Sequence, residues 1–132
     1  MRRTAFLLAA LGMACALPLA AQTPVAPTPT VGDEEAGRAA FNTECRTCHA
    51  GAIAPVLRGV VGRKIASDPD FGGYSPGLKG HGEETWTEQS LDAFLKAPAE
   101  FAPGALMTKA MTADQTRADI IAYLKAISQS AE

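Results

Sequence analysis

Cys45-Arg46-Thr47-Cys48-His49 is the stretch that most limits what this chain can become. A C-x-x-C-H run is the attachment pattern of a c-type haem. Two thiols two residues apart can each add S–H across one vinyl group of a porphyrin. The adjacent His49 is then held under the iron, where a neutral imidazole is a good axial ligand. A chain organised in this way has to wrap a flat apolar disc and supply one further ligand. Three rival readings stand beside it. A zinc site needs more Cys or His ligands, and downstream only His81 remains. A thioredoxin-like redox pair needs a βαβ setting, which the pattern lacks. A Cys45–Cys48 disulfide would close a very small loop and constrain little.

The N-terminus bears on the compartment. Arg2-Arg3 is followed by an apolar run from Ala5 to Ala21, broken only by Gly12 and Pro18. A basic start, a short apolar core and small residues at Ala20-Ala21 predict a secretory signal peptide over residues 1–21, hence a periplasmic protein. An uncleaved anchor is the alternative, although the run is short for a membrane span. Cys15 follows Gly12-Met13-Ala14, a poor lipoprotein site. Without Arg2 and Arg3 the balance is ten basic against fourteen acidic residues, net −4. That excludes a basic nucleic-acid or anionic-membrane surface and favours a partner with a basic docking patch. With Cys15 removed, the exported chain keeps only Cys45 and Cys48, and the haem reading uses both.

Residues 22–31, with Pro24, Pro27 and Pro29 among threonines and alanines, read as an extended linker. The folded domain is expected over residues 32–130. Asp33 to Cys45 reads as a helix with Asp33, Glu34 and Glu35 in its first turn. Gly37, Phe41 and Cys45 share one face running into the C-x-x-C-H site, and the mid-helix Gly37 reads equally as a close helix crossing or as a merely tolerated glycine. Ala50 to Glu84 is a glycine- and proline-rich loop, long for a small domain unless a cofactor supplies the missing core. Gly59-Val60-Val61-Gly62 is expected to add a short turn. Thr87 to Ala97 reads as a second helix, capped by Thr87, with Leu91, Phe94 and Leu95 on its apolar face and Pro98 as its stop. Pro98 to Met111 reads as a loop. Thr112, with Gln115 three residues on, predicts a capping box opening a last helix striped by Ile120, Leu124 and Ile127. The expected fold class is all-α.

A second axial ligand has to come from Met107, Met111 or His81. Met107 lies in the loop just after Pro103-Gly104, where a methionine is less readily explained as core filler than in a helix.

Taken in order, these segments resemble the class I cytochrome c family, in its mitochondrial cytochrome c and bacterial cytochrome c2 group, over nearly the whole exported length. Gly32 to Phe41 resembles the family's N-terminal helix. Pro55-Val56-Leu57 with Gly59 to Lys64 is similar to its P-x-L…G-x-x-G-R-K segment. Pro103-Gly104-Ala105-Leu106-Met107 resembles the P-G-x-x-M ligand loop, and Arg117 to Lys125 the C-terminal helix.

The resemblance implies a small monohaem fold with crossing terminal helices and long loops around one haem c. Cys45 and Cys48 would form the thioethers, with His49 and Met107 as axial ligands. Pro55 would offer its carbonyl to the other ring nitrogen of His49. Arg63, Tyr74 and Trp86 would hydrogen-bond a buried propionate, and Gly37 and Phe41 would cross the last helix near Ile120 and Tyr123. Departures are visible. The His49–Pro55 segment is short, Phe94 stands for a tyrosine, Ala105 for a threonine and Leu106 for a lysine. The lysine ring of the mitochondrial type is therefore not reproduced. The implied activity is one-electron transfer by a monomeric, non-enzymatic carrier serving redox partner proteins. A subunit of a periplasmic oxidoreductase and a peroxidase-type enzyme with an open iron are the alternatives.

Overall fold

The structure, a computed structural model, describes residues 30–51 and 53–130. The signal peptide expected over residues 1–21 and most of the linker expected over residues 22–31 lie outside the described residues. Six helices follow in order: α1 (Glu34–Glu44), α2 (Arg46–His49), α3 (Pro76–Gly80), α4 (Glu88–Lys96), α5 (Pro98–Phe101) and α6 (Asp114–Gln129). Among the described residues no strand forms, and the one β contact is an isolated antiparallel bridge between Lys64 and Thr85.

The frame is the crossing of α1 on α6. Asp33 caps α1, its carboxylate accepting the Ala36 amide at 2.7 Å. The Asp33 amide itself donates to the Asp119 carboxylate of α6 at 2.8 Å. At the crossing the two backbones touch. A Cβ on Gly32 would fall inside the Ala118 carbonyl, and one on Gly37 inside the carbonyl of Asp119. Only glycine lets the helices approach so closely. The rings of Phe41 and Tyr123 meet beside the crossing with centroids 5.2 Å apart, as the sequence suggested.

On its inner face α6 buries Arg117, Ile120, Ile121 and Leu124, three to four residues apart. Ile120 is 1 % exposed, and burying a side chain of that size contributes about 2 kcal/mol. Ile120, Ile121 and Leu124 join Val60, Ile65, Trp86, Leu91, Phe94, Leu95 and Met111 in one core.

Helix α4 keeps its expected cap. Thr87 Oγ1 accepts the Ser90 amide at 3.1 Å, and Ser90 Oγ accepts the Thr87 amide at 2.8 Å, a reciprocal box. Three expectations are corrected. Residues 76–80, inside the loop expected from Ala50 to Glu84, form α3, because Ser75 caps it by accepting the Leu78 amide at 3.2 Å and Pro76 suits its first position. Pro98 ends α4 but at once opens α5, so residues 98–101 are helical where a loop was expected. Proline suits the first helical position, because its missing N–H is an orphan there anyway. The capping box at Thr112 and Gln115 does not form, and Ala113 occupies the N-cap without a side-chain bond. The cause is Arg117. Its guanidinium takes the Met111 and Thr112 carbonyls at 2.8 and 3.1 Å, holding both residues outside the helix. Gln115 instead donates to the Val31 carbonyl and the Asp119 carboxylate.

Candidate functional site

Helix α1 stops at Cys45, whose amide still donates to the Phe41 carbonyl, and α2 begins at once. Cys45 and Cys48 thus sit on consecutive turns beside His49. Both thiols are unpaired; Cys45 is buried and Cys48 exposed. Burial pushes the Cys45 thiol up to about 11, with the neighbouring Glu44 carboxylate acting the same way. Among the described residues no group of three or more His, Cys, Asp or Glu side chains converges as a metal ion would need, so the zinc reading finds no ligand set there.

All three residues line a cleft of about 370 Å³, within the usual range for a cofactor site. Its far wall comes from the loops. Pro55, Arg63, Tyr74, Trp86 and Met107, picked out in the sequence, all face into it. Leu57, Leu91, Phe94, Leu95, Ile120 and Leu124 complete a largely aliphatic and aromatic lining. The loops, with α4 and α6, thus turn one side of the packed core toward the cleft.

Local bonds orient the polar groups. His49 Nδ1 lies 2.8 Å from the Pro55 carbonyl. That carbonyl can only accept, so Nδ1 carries a proton, and in the neutral ring the lone pair is then on Nε2, the tautomer a metal ligand needs. Arg63 Nη2 donates to the Val56 carbonyl at 2.7 Å. The Tyr74 hydroxyl accepts the Asp68 amide at 3.2 Å, which leaves its own proton for another acceptor.

Asp68 went unrecognised in the sequence. Its buried carboxylate accepts the Val56 amide at 3.0 Å and the Asp70 amide at 3.1 Å. It thereby fixes the residue next to Pro55 and, through that carbonyl, the ring of His49. The signal was present in Ser67-Asp68-Pro69-Asp70, a run suited to an Asx turn.

The two rival axial ligands are engaged elsewhere. Met111 is buried in the core, with its amide donating to the Leu95 carbonyl at 2.8 Å. His81 has Nδ1 2.8 Å from the Glu84 carboxylate and Nε2 3.0 Å from the Phe101 carbonyl. Met107 follows the turn Ala102-Pro103-Gly104-Ala105, closed by the Ala105 amide on the Ala102 carbonyl at 3.0 Å. Gly104 sits there at φ +79°, the left-handed position for which glycine is suited.

Residues 34–128 match the sequence model of the family described as Cytochrome c. Cytochrome c of Tetrahymena pyriformis is 48% identical over 101 residues, covering 73% of this chain and 90% of that protein. Cytochrome c2 of Agrobacterium tumefaciens (strain II Chrys) is 41% identical over 102 residues, covering 70% and 90%. The solved ferricytochrome c2 from Rhodopseudomonas palustris superposes with a TM-score of 0.64 at 34% identity, over 72% of this chain and 98% of that one.

An all-helical wrapper with C-x-x-C-H on the wall of an apolar cleft defines the class I c-type cytochromes, of the mitochondrial and cytochrome c2 type. This chain belongs to the cytochrome c family. Membership makes it an electron-transfer protein rather than an enzyme, one that carries covalent haem c and works with redox partner proteins.

Proposed function

We propose that this chain is an exported, single-haem electron carrier, attached through Cys45 and Cys48 and ligated by His49 and Met107. The observation that carries the reading is the convergence of those four residues on one apolar cleft, while Met111 and His81 are committed elsewhere. Bound there, the haem iron supplies one-electron exchange between ferric and ferrous. The rest is the work of side chains. Pro55 holds His49 in the ligating tautomer. A thioether from Met107 favours the ferrous form, and the apolar lining pushes the potential the same way. Arg63, Tyr74 and Trp86 offer donors to a propionate and offset its charge. With His49 and Met107 as its ligands the iron would be closed to substrate, which weighs against a peroxidase-type enzyme.

The N-terminal pattern of residues 1–21 supports export to the periplasm. Among the described residues no helix is long and apolar enough to cross a membrane, so any anchor would lie in that N-terminal segment. The excess of acidic residues supports a partner with a basic docking patch. Ile53 and Leu106 stand 71 % and 75 % exposed at the cleft. They offer the apolar contact that a dedicated periplasmic complex would use, against a monomeric shuttle. A stoichiometric complex that survives high salt would favour the subunit.

The test is an absorption spectrum of the exported protein, oxidised and reduced. The expected result is a c-type spectrum with the weak red band of sulfur-bound ferric haem, lost in Met107→Ala and kept in Met111→Ala. The opposite pattern in the two variants would overturn the ligand assignment.

A further inference from the structure

His81 has no part in the cleft, yet it joins two of the cleft's walls. It is the C-cap of α3, its amide donating to the Leu78 and Lys79 carbonyls. The segment leading into it supplies Tyr74, Ser75 and Leu78 to one wall. Across from it, Phe101 ends α5, and the chain runs from there through Pro103-Gly104 to Met107 on the other wall. The His81 ring stacks on Phe101, with centroids 4.6 Å apart and planes 19° from parallel. Phe101 in turn stacks on Trp86 at 5.8 Å and meets Phe94 edge-on at 5.7 Å, and both of those rings line the cleft.

The two bonds of the ring have one chemical solution. Glu84 Oε1 and the Phe101 carbonyl oxygen are both acceptors, and each faces a different ring nitrogen. A neutral imidazole has one N–H and can satisfy only one of them, whereas an imidazolium satisfies both. A cation lying flat on Phe101 gains further from the ring's quadrupole. The other charged groups nearby are Lys79 in α3, Glu83, which is turned to Lys64, and Glu100 in α5. Glu84 alone among these charged groups is bonded to the ring.

We propose that His81, as an imidazolium, is a positioning residue that clasps the Met107 side of the cleft to the Tyr74 side, and that losing its proton loosens the seat of Met107. The second half rests on Met107 being the ligand. The Glu84 carboxylate and then the Phe101 carbonyl hold the pKa of His81 above the ordinary 6.5. A group whose pKa is raised by folding stabilises fully below its unfolded value, and that stability is lost as pH climbs through the folded pKa. The clasp therefore opens on the alkaline side of 6.5.

The test follows three signals of the haem-loaded protein from about pH 5 to about pH 9, a span that brackets imidazole titration. They are the His81 ring proton by NMR, the denaturant midpoint, and the red sulfur–iron band. His81 is expected to titrate above 6.5, with the midpoint and the band falling at the same pH. In His81→Gln, which keeps a donor but cannot carry charge, the step should vanish while the protein still folds. In Glu84→Gln it should move to lower pH. The same step surviving in His81→Gln, or His81 titrating below 6.5, would overturn the proposal. A red band absent at every pH would remove the Met107 ligation reading alone, and the stability step would still decide for or against the clasp.

Discussion

The α1–α6 crossing and the wall of the cleft solve the same problem, burial of apolar surface, in opposite ways. At the crossing, glycines bring two backbones into contact and the interface is complete within the polypeptide. Along the wall, Leu57, Trp86, Phe94 and Met107 pack on the core with one side and, beside Tyr74, line the cleft with the other; side-chain bonds at Asp68, Arg63 and Ser75 tie the loops there. The faces that these side chains turn to the cleft gain transfer and dispersion energy only from a group bound there. The wall is therefore the part of this fold that its cofactor stabilises.

The largest effect should come from removing that cofactor. Cys45→Ala with Cys48→Ala should prevent stable haem retention and take with it most of the net stability, about 5–15 kcal/mol for a domain of this kind. Hydrogen exchange should then separate the regions. Amides of the wall, such as those of Val60 and Trp86, bonded to the Leu57 and Arg63 carbonyls, should exchange freely, while α1 and α6 retain residual protection. Equal loss in both would abolish the distinction drawn between them.

Gly37→Ala attacks the frame instead. Intrinsic helix propensity favours alanine by about 1 kcal/mol. The added Cβ meets the Asp119 carbonyl, however, which is backbone and cannot rotate aside. Overpacking of that kind costs about 3 kcal/mol or more, so a net loss of at least about 2 kcal/mol is expected in the denaturant midpoint of the haem-loaded protein. An unchanged midpoint would mean that the crossing yields easily.

Between frame and wall stands Arg117. It is 3 % exposed, and it holds the Asp92 and Asp114 carboxylates at 2.6 Å as well as the Met111 and Thr112 carbonyls. Arg117→Met keeps the apolar stem and removes these bonds. A loss of about 2 kcal/mol is expected, because bonds to charged groups are the strong ones and two carbonyls lose their partner. A loss well under that figure would show that α6 supplies the caps by itself.

The same residue marks where sequence reasoning stopped. The crossing was legible only in part: the helical spacing of Gly37, Phe41 and Cys45 left Gly37 equally readable as a tolerated glycine, and it was the ordered resemblance that set it against Ile120 and Tyr123. The cleft residues were legible from C-x-x-C-H together with the ordered resemblance, and the structure brings all eight to one cleft. Thr112 and Gln115 gave a sound local capping signal, which a buried guanidinium overrode from five residues away in the chain. Asp68 was missed for a similar reason. Its turn was readable, but its bond to the Val56 amide, twelve residues back, is a tertiary fact. Local propensity yields wherever one buried polar group gathers several backbone partners.

The smallest expected effect tests the wall with the substitution already used on the frame. Gly104 has φ +79°, and a Cβ there would have no closer neighbour than the Ser75 Cβ, at 3.9 Å. Space is therefore not the constraint; conformation is. An L-residue in that region costs about 1 kcal/mol, so Gly104→Ala should lower the midpoint by roughly that amount and less than Gly37→Ala. Asparagine tolerates the left-handed region better than alanine, so Gly104→Asn should recover part of the loss, whereas Gly37→Asn should recover none. If asparagine rescued both glycines, or neither, steric contact and backbone conformation would not be the separate constraints that distinguish the frame from the wall.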